Sequence, residues 1–332
     1  MYENRKTSAL EGMWRWVLHA VIGIVIGFIA YYMTRFEDAL IKIQDQTVQA
    51  TLDNGKSVWI AYLKWTGFSM ISALIAVLLT IYIGPGAMGS GVPEVMGLLN
   101  GVRYPKAIDI STFLIKIFGV EFAVIGNLAV GKEGPLVHIG ACAGYMAAYI
   151  PLDVFAPFRN DSDKRTLLAA GAAAGVSAAF GAPIGGALFV YEISKPNTFW
   201  TFSMLWRVFF TCALATLVLG LLEEMHDGLP LTVTSSAVLK FGEVVYFDAP
   251  MSDLAVATGL GIICGMLGAF FVYTYAMLGF FRKHYITTAP RKILEVLLFS
   301  LVSSTLFFGA SAICKRCYII DKELQYDSYF AF

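Results

Sequence analysis

The 332-residue chain balances 24 Lys and Arg against 24 Asp and Glu, is 58% hydrophobic and only 14% charged, and has a mean hydropathy of +0.68. That balance excludes an ordinary soluble domain, and zero net charge without a long basic or acidic run argues against nucleic acid or a polyanion as partner. The chain reads as an all-α, polytopic membrane protein.

Residues 1–13 read as a cytoplasmic N-terminal segment, with Arg5 and Lys6 supplying the basic charge that the positive-inside rule places on that side. The first apolar run, 14–36, is too long for a signal-peptide core and is followed by no small-residue cleavage site, so it is read as a retained membrane helix. It and the run 58–84 are each long enough to cross about 30 Å of hydrocarbon. Shorter pieces follow at 91–101, 108–130, 133–150, 164–180 and 183–193, and several of these are too short to span alone. Full-length runs resume at 198–222, 254–281 and 293–313, before a polar tail at 314–332. Hydropathy therefore predicts about ten helical pieces.

Arg103 and Lys106, and the group Arg282, Lys283, Arg291 and Lys292, carry basic charge without acids and fall on the cytoplasmic side by the positive-inside rule. Residues 43–57 and 223–248 carry more acids than bases and read as loops on the opposite side. The run 169–180 is almost entirely small residues, which lets helix backbones approach closely in a bilayer.

Three glycine-and-proline breakers interrupt the apolar sequence: Gly89-Ser90-Gly91-Val92-Pro93-Glu94, Gly131-Lys132-Glu133-Gly134-Pro135 and Gly181-Ala182-Pro183-Ile184-Gly185-Gly186. A helix that starts within the bilayer aims unpaired N–H groups and the positive end of its dipole at whatever lies there, which makes a dehydrated anion site. Irregular backbone at that depth lines a cavity or is buried in protein, so such starts mark a transport pathway. Ser90 stands before a helix carrying Pro93 and Glu94 in its first turn, where its hydroxyl either caps the helix or coordinates an anion.

Glu133 heads the second interrupted helix. An acid at mid-bilayer costs about 2.5–3.5 kcal/mol on insertion scales, so it faces a pathway or a partner. The plain alternative is an ion pair with Lys132 or a cap; the functional reading is a gate, in which the carboxylate occupies the anion position at a positive helix end until protonated. Lys132 supplies positive potential near the anion route or snorkels to the interface. His138 reads as a packing hydrogen-bond donor rather than a proton relay, and Glu192 as either a structurally partnered acid or a proton carrier. Cys314 and Cys317 form a CxxC without the further ligands that zinc requires. No nucleophile–base constellation stands out among the four histidines and no GxxxxGK[ST] loop occurs, so neither an enzyme nor a cofactor is expected.

Together these residues resemble the CLC family of voltage-gated chloride channels and chloride/proton exchangers. Residues 89–94 are similar to its GSGIP signature, 131–135 to its G(K/R)EGP signature, and 172–186 to its helix G to H block. Lys132, Asp163-Lys164-Arg165 and Phe199-Trp200 look most similar to the late-endosomal and lysosomal branch. The resemblance implies a CLC-type fold with re-entrant broken helices. It divides the chain into a first inverted repeat at 14–225, an extracytoplasmic loop at 226–250, and the start of a second repeat at 251–313, without cytoplasmic CBS domains. It makes Glu133 the external gate and Ser90 the central chloride ligand, with Gly91, Val92 and Gly134 adding backbone N–H groups and Lys132 adding potential. Chloride is the implied cargo, with protons as a second; the implied assembly is a homodimer, or pairing with a full-length relative. The expected location is an endosomal or lysosomal-type membrane, or the plasma membrane.

Two departures qualify the expectation. The family's coupled exchangers carry two adjacent glutamates where this chain reads Glu192-Ile193. An isoleucine cannot carry a proton, so passive chloride conduction is expected ahead of exchange, with Glu192 as the alternative proton carrier beside a small insertion at 194–198. The sequence also stops after the family's helix K. A truncated gene model, a fragment, or a natural half-protein that partners a full-length relative without conducting are all consistent with that.

Overall fold

A computed structural model describes residues 9–55, 57–104, 106–194, 200–228 and 251–313. Arg5, Lys6, residues 195–198 of the insertion expected at 194–198, residues 229–250 of the loop expected at 226–250, the Cys314/Cys317 pair and the polar tail lie outside the described residues. Among the described residues the regular structure is entirely helical. The helices are α1 (Ala9–Asp53), α2 (Val58–Leu78), α3 (Val92–Leu99), α4 (Ile110–Ile125), α5 (Glu133–Ala147), α6 (Asp161–Phe180), α7 (Pro183–Ile193), α8 (Phe202–Asp227), α9 (Met251–Tyr285) and α10 (Ala289–Ile313). Among the described residues, five segments are long and apolar enough to cross a membrane: Glu11–Asp53, Val58–Ile83, Phe202–His226, Asp253–Tyr285 and Ala289–Ser311.

Composition misplaces one boundary substantially. Residues 43–53, expected in a loop, continue α1, which runs for 45 residues. The polar side chains of this stretch serve the helix instead of ending it. Thr47 and Thr51 each donate to the carbonyl four residues back, at 2.7 Å. Buried Gln44 donates to the Trp65 carbonyl and to Ser69 Oγ of α2, at 3.2 and 3.1 Å. Lys64 Nζ reaches Thr51 Oγ1 at 2.8 Å. α6 starts at Asp161, ahead of the expected 164, because Asn160 accepts the Asp163 N–H at 2.8 Å and caps it. α8 extends past 222 to a left-handed cap at Gly228.

α1 to α8 and α10 from Val296 onward form one compact unit. Within it α6 is central. One face joins Leu18, Ile22 and Ile26 of α1 and Leu136 and Ile139 of α5 in a core that includes Leu167, Ala174 and Ala178. The other face joins Val95 and Leu99 of α3, Val190 of α7 and Val208 and Cys212 of α8, around Leu168, Ala172 and Val176. The small-residue run permits this. A Cβ at Gly140 of α5 would overlap the Gly171 carbonyl of α6, and one at Gly171 would overlap the Gly140 carbonyl, so the two backbones touch. Arg15 of α1 pairs with Asp163 at 2.6 Å and ties the start of α1 to the start of α6. Ser300 of α10 donates to the Gly126 carbonyl at 2.8 Å, and Tyr62 and Thr305 share a 2.8 Å bond.

The second unit holds α9 and the beginning of α10 through Glu295. An Arg282–Glu295 ion pair at 2.7 Å and a bond from Arg291 to the Tyr285 carbonyl at 2.9 Å close its turn.

Candidate functional site

Ahead of the first breaker, α2 passes into a π-helical turn at Leu79–Ile83 and a 3-10 turn at Pro85–Ala87. The chain then reverses through Gly89 and Gly91, both at positive φ, and enters α3. Gly91, at φ 85°, is the N-cap residue itself. A side chain at that angle is strained, and a Cβ there would overlap the His138 ring. Ser90 therefore stands one residue before the N-cap. Its Oγ accepts the Val92 N–H at a long 3.4 Å, and Ser90 remains exposed, so capping uses little of the hydroxyl's capacity.

His138 is 1% exposed and its Nε2 lies 2.7 Å from the Ala107 carbonyl. A carbonyl only accepts, so Nε2 carries the proton and the ring supports the loop below Gly91. This agrees with the packing role read from sequence.

The second breaker opens α5 with Lys132 at the N-cap and Glu133 as the first helical residue. A Cβ at Gly134 would fall 2.8 Å from Ser90 Cβ, so the head of α5 and the loop leading into α3 converge. Two helix starts thus bring their free N–H groups and dipole ends to one locality. Glu133 is exposed, and its carboxylate turns back over Gly131, where a Cβ would overlap Oε2. Lys132 pairs with Glu37 rather than with Glu133, against the ion-pair form of the plain alternative. Its Nζ bonds Glu37 of α1 at 2.8 Å and reaches Thr34 Oγ1 at 3.5 Å. The positive charge expected from Lys132 is therefore offset locally by Glu37.

The breaker motifs do not reveal Lys116. This residue of α4 is 3% exposed and donates to the carbonyls of Ala87 and Gly89, at 3.2 and 2.9 Å. It fastens the loop that carries Ser90 and brings a buried positive charge beneath it. A signal for it does exist in the sequence, because Lys116 and Glu121 are the charged residues of an otherwise apolar helix, Ile110–Ile125.

The third breaker packs against α6: a Cβ at Gly186 would overlap Ser177 Oγ. At the far end of α7 from that breaker, the Ile193 carbonyl accepts from Asn100 Nδ2 at 3.2 Å and its side chain packs against the α3/α6/α8 core. Ser194 donates to the Val190 carbonyl at 2.6 Å and accepts from Trp200 Nε1. Glu192 is exposed.

Comparison with known proteins matches residues 72–321 to the family model described as voltage gated chloride channel. The chain is 33% identical over 309 residues to the human protein named H(+)/Cl(-) exchange transporter 7, covering 89% of this chain and 38% of that protein. It is 33% identical to chloride channel protein C of Dictyostelium discoideum, covering 90% and 40%. The chain thus spans well under half the length of these relatives. Among solved structures, a eukaryotic CLC transporter superposes with a TM-score of 0.69 at 21% identity, covering 90% of this chain and 50% of that one. A slow cyanobacterial Cl-/H+ antiporter superposes with a TM-score of 0.68 at 21% identity, covering 92% and 68%.

Proposed function

Because the chain belongs to the voltage-gated chloride channel (CLC) family, we propose that it contributes the Ser90 and Glu133 side of a transmembrane chloride pathway. The observation that carries this reading is the convergence of Ser90 and Gly134, which gathers the heads of two interrupted helices. A hydroxyl used only lightly in capping, the Val92 N–H held by no more than the long 3.4 Å bond to Ser90, the N–H of Gly134 in the first turn of α5, and a buried Lys116 beneath the loop form an anion-attracting locality. Glu133, at the head of α5, is the proposed gate: its carboxylate competes with chloride for the positive helix end, and protonation releases it.

Coupling divides the reading in two. Several relatives, and the cyanobacterial structural neighbour, are named for the exchange of chloride against protons, which favours an antiporter. Ile193, which supplies no titratable group where coupled exchangers carry a glutamate, favours passive conduction. Chloride efflux from liposomes holding the purified chain, with external pH recorded, separates them. Efflux accompanied by proton uptake supports exchange, and efflux without it supports conduction. No efflux from folded protein defeats both and favours a partner that works only beside a full-length relative. The similarity to the endosomal and lysosomal branch makes such a membrane the proposed location, and fluorescence co-localisation tests it.

A further inference from the structure

Glu121 of α4 is 1% exposed, and among the described residues neither of its carboxyl oxygens has a hydrogen-bond donor. Isolated burial of a carboxylate costs far more than a folded membrane protein gains from any single contact. The charged groups that face Glu121 come from two other elements: Glu37 and Asp38 of α1, and Lys132 at the N-cap of α5. Asp38 in turn faces Arg35 of its own helix and His226 of α8. The one ammonium group in this set, Lys132 Nζ, is committed to Glu37 at 2.8 Å and to Thr34. Glu121 is thus left beside a second carboxylate with no cation of its own. Two carboxyl groups in that relation are satisfied by one proton, which turns one of them into a donor to the other.

We propose that Glu121 and Glu37 share a single proton, forming a proton-binding site that is separate from the Glu133 gate and joined to it through Lys132. With the proton bound, Glu121 donates to Glu37, Glu37 keeps its bond to Lys132, and the Glu37–Glu121–Lys132 trio is neutral. Without it, two carboxylates surround one ammonium group and the trio carries one net negative charge immediately before Glu133. Negative potential there opposes chloride and favours a protonated gate. The site therefore makes the gate responsive to a proton that Glu133 does not itself hold. This last step rests on the gate assignment; the shared proton does not.

Infrared difference spectroscopy of the purified 332-residue chain, titrated in detergent, reads the proton directly. A protonated-carboxyl band that persists at neutral pH is expected. It should be lost in Glu121→Gln, which keeps the neutral shape and so should remain folded, should shift in Glu37→Gln, which replaces the carboxylate acceptor with a weaker, neutral amide carbonyl, and should persist in Glu133→Gln. A band unaffected by Glu121→Gln, or absent from the wild type at neutral pH, overturns the shared proton. In the liposome assay, Glu121→Gln should flatten the dependence of chloride efflux on pH. An unchanged pH profile with the band correctly assigned overturns only the link to the gate. Absence of all efflux defeats the gate assignment and leaves the infrared result to stand on its own.

Discussion

A Cβ at Gly134 would fall 2.8 Å from the Cβ of Ser90, so the head of α5 and the loop entering α3 meet in van der Waals contact through a missing methyl group. That distance is shorter than carbon atoms tolerate, and the Ser90 Cα and carbonyl oxygen stand just behind it at 3.6 and 3.8 Å.

Gly134→Ala is therefore expected to displace the Ser90 loop, cost about 1–3 kcal/mol of stability and reduce chloride efflux sharply while the helices persist. Circular dichroism and thermal unfolding in detergent, run beside the efflux assay, check this. Wild-type efflux from the variant would remove Ser90 from the pathway.

Lys116→Met keeps the aliphatic stem and deletes the donor to the Ala87 and Gly89 carbonyls. Leaving the buried Ala87 carbonyl without this partner costs about 1–3 kcal/mol, and the positive charge below the Ser90 loop goes with it. Weaker chloride binding by calorimetry, together with a lower melting temperature, is the expected pair of changes. A lowered melting temperature with unaltered chloride affinity would make Lys116 purely structural.

The contact between α5 and α6 predicts an asymmetry between glycines. Gly140→Ala forces a methyl into the Gly171 carbonyl and is expected to destabilise the chain strongly, beyond the roughly 1–3 kcal/mol of ordinary overpacking. Among the described residues, a Cβ at Gly67 of α2 meets nothing within 4 Å, and Gly67→Ala should gain roughly 0.5–1 kcal/mol from the better helix former. Equal melting temperatures for the two variants would contradict the packing described.

Glu133→Ala removes the carboxylate proposed to compete with chloride for the head of α5. Loss of the voltage and pH dependence of chloride flux, with permeation retained, is expected in electrical recordings from planar bilayers. Gating that survives with its pH response intact would exclude Glu133 as the gate.

Ile193→Glu alone is not expected to create proton coupling. Ile193 packs on the core shared by α3, α6 and α8 and its carbonyl accepts from Asn100. A carboxylate introduced there enters apolar surroundings at a cost of about 2.5–3.5 kcal/mol. Proton movement driven by a chloride gradient through this variant would refute the expectation.

The helical class, the number of helical pieces and the three breakers are legible in the residues alone, because hydropathy, glycine and proline act locally on the backbone. The same local logic picks out Ser90, Lys132 and Glu133. It fails at residues 43–53, where Gln44 and the threonines of a supposed loop satisfy α1 and bond α2. It is silent on partnership: that Lys132 bonds Glu37, 95 residues earlier, and that Lys116 holds the loop 27 residues before it, follow only from how α1, α4 and α5 pack. Burial and pairing decide whether a charge in apolar sequence is a gate, a brace or a proton site. Those are properties of the assembled helices, since desolvation and hydrogen bonding depend on neighbours that the local sequence does not name.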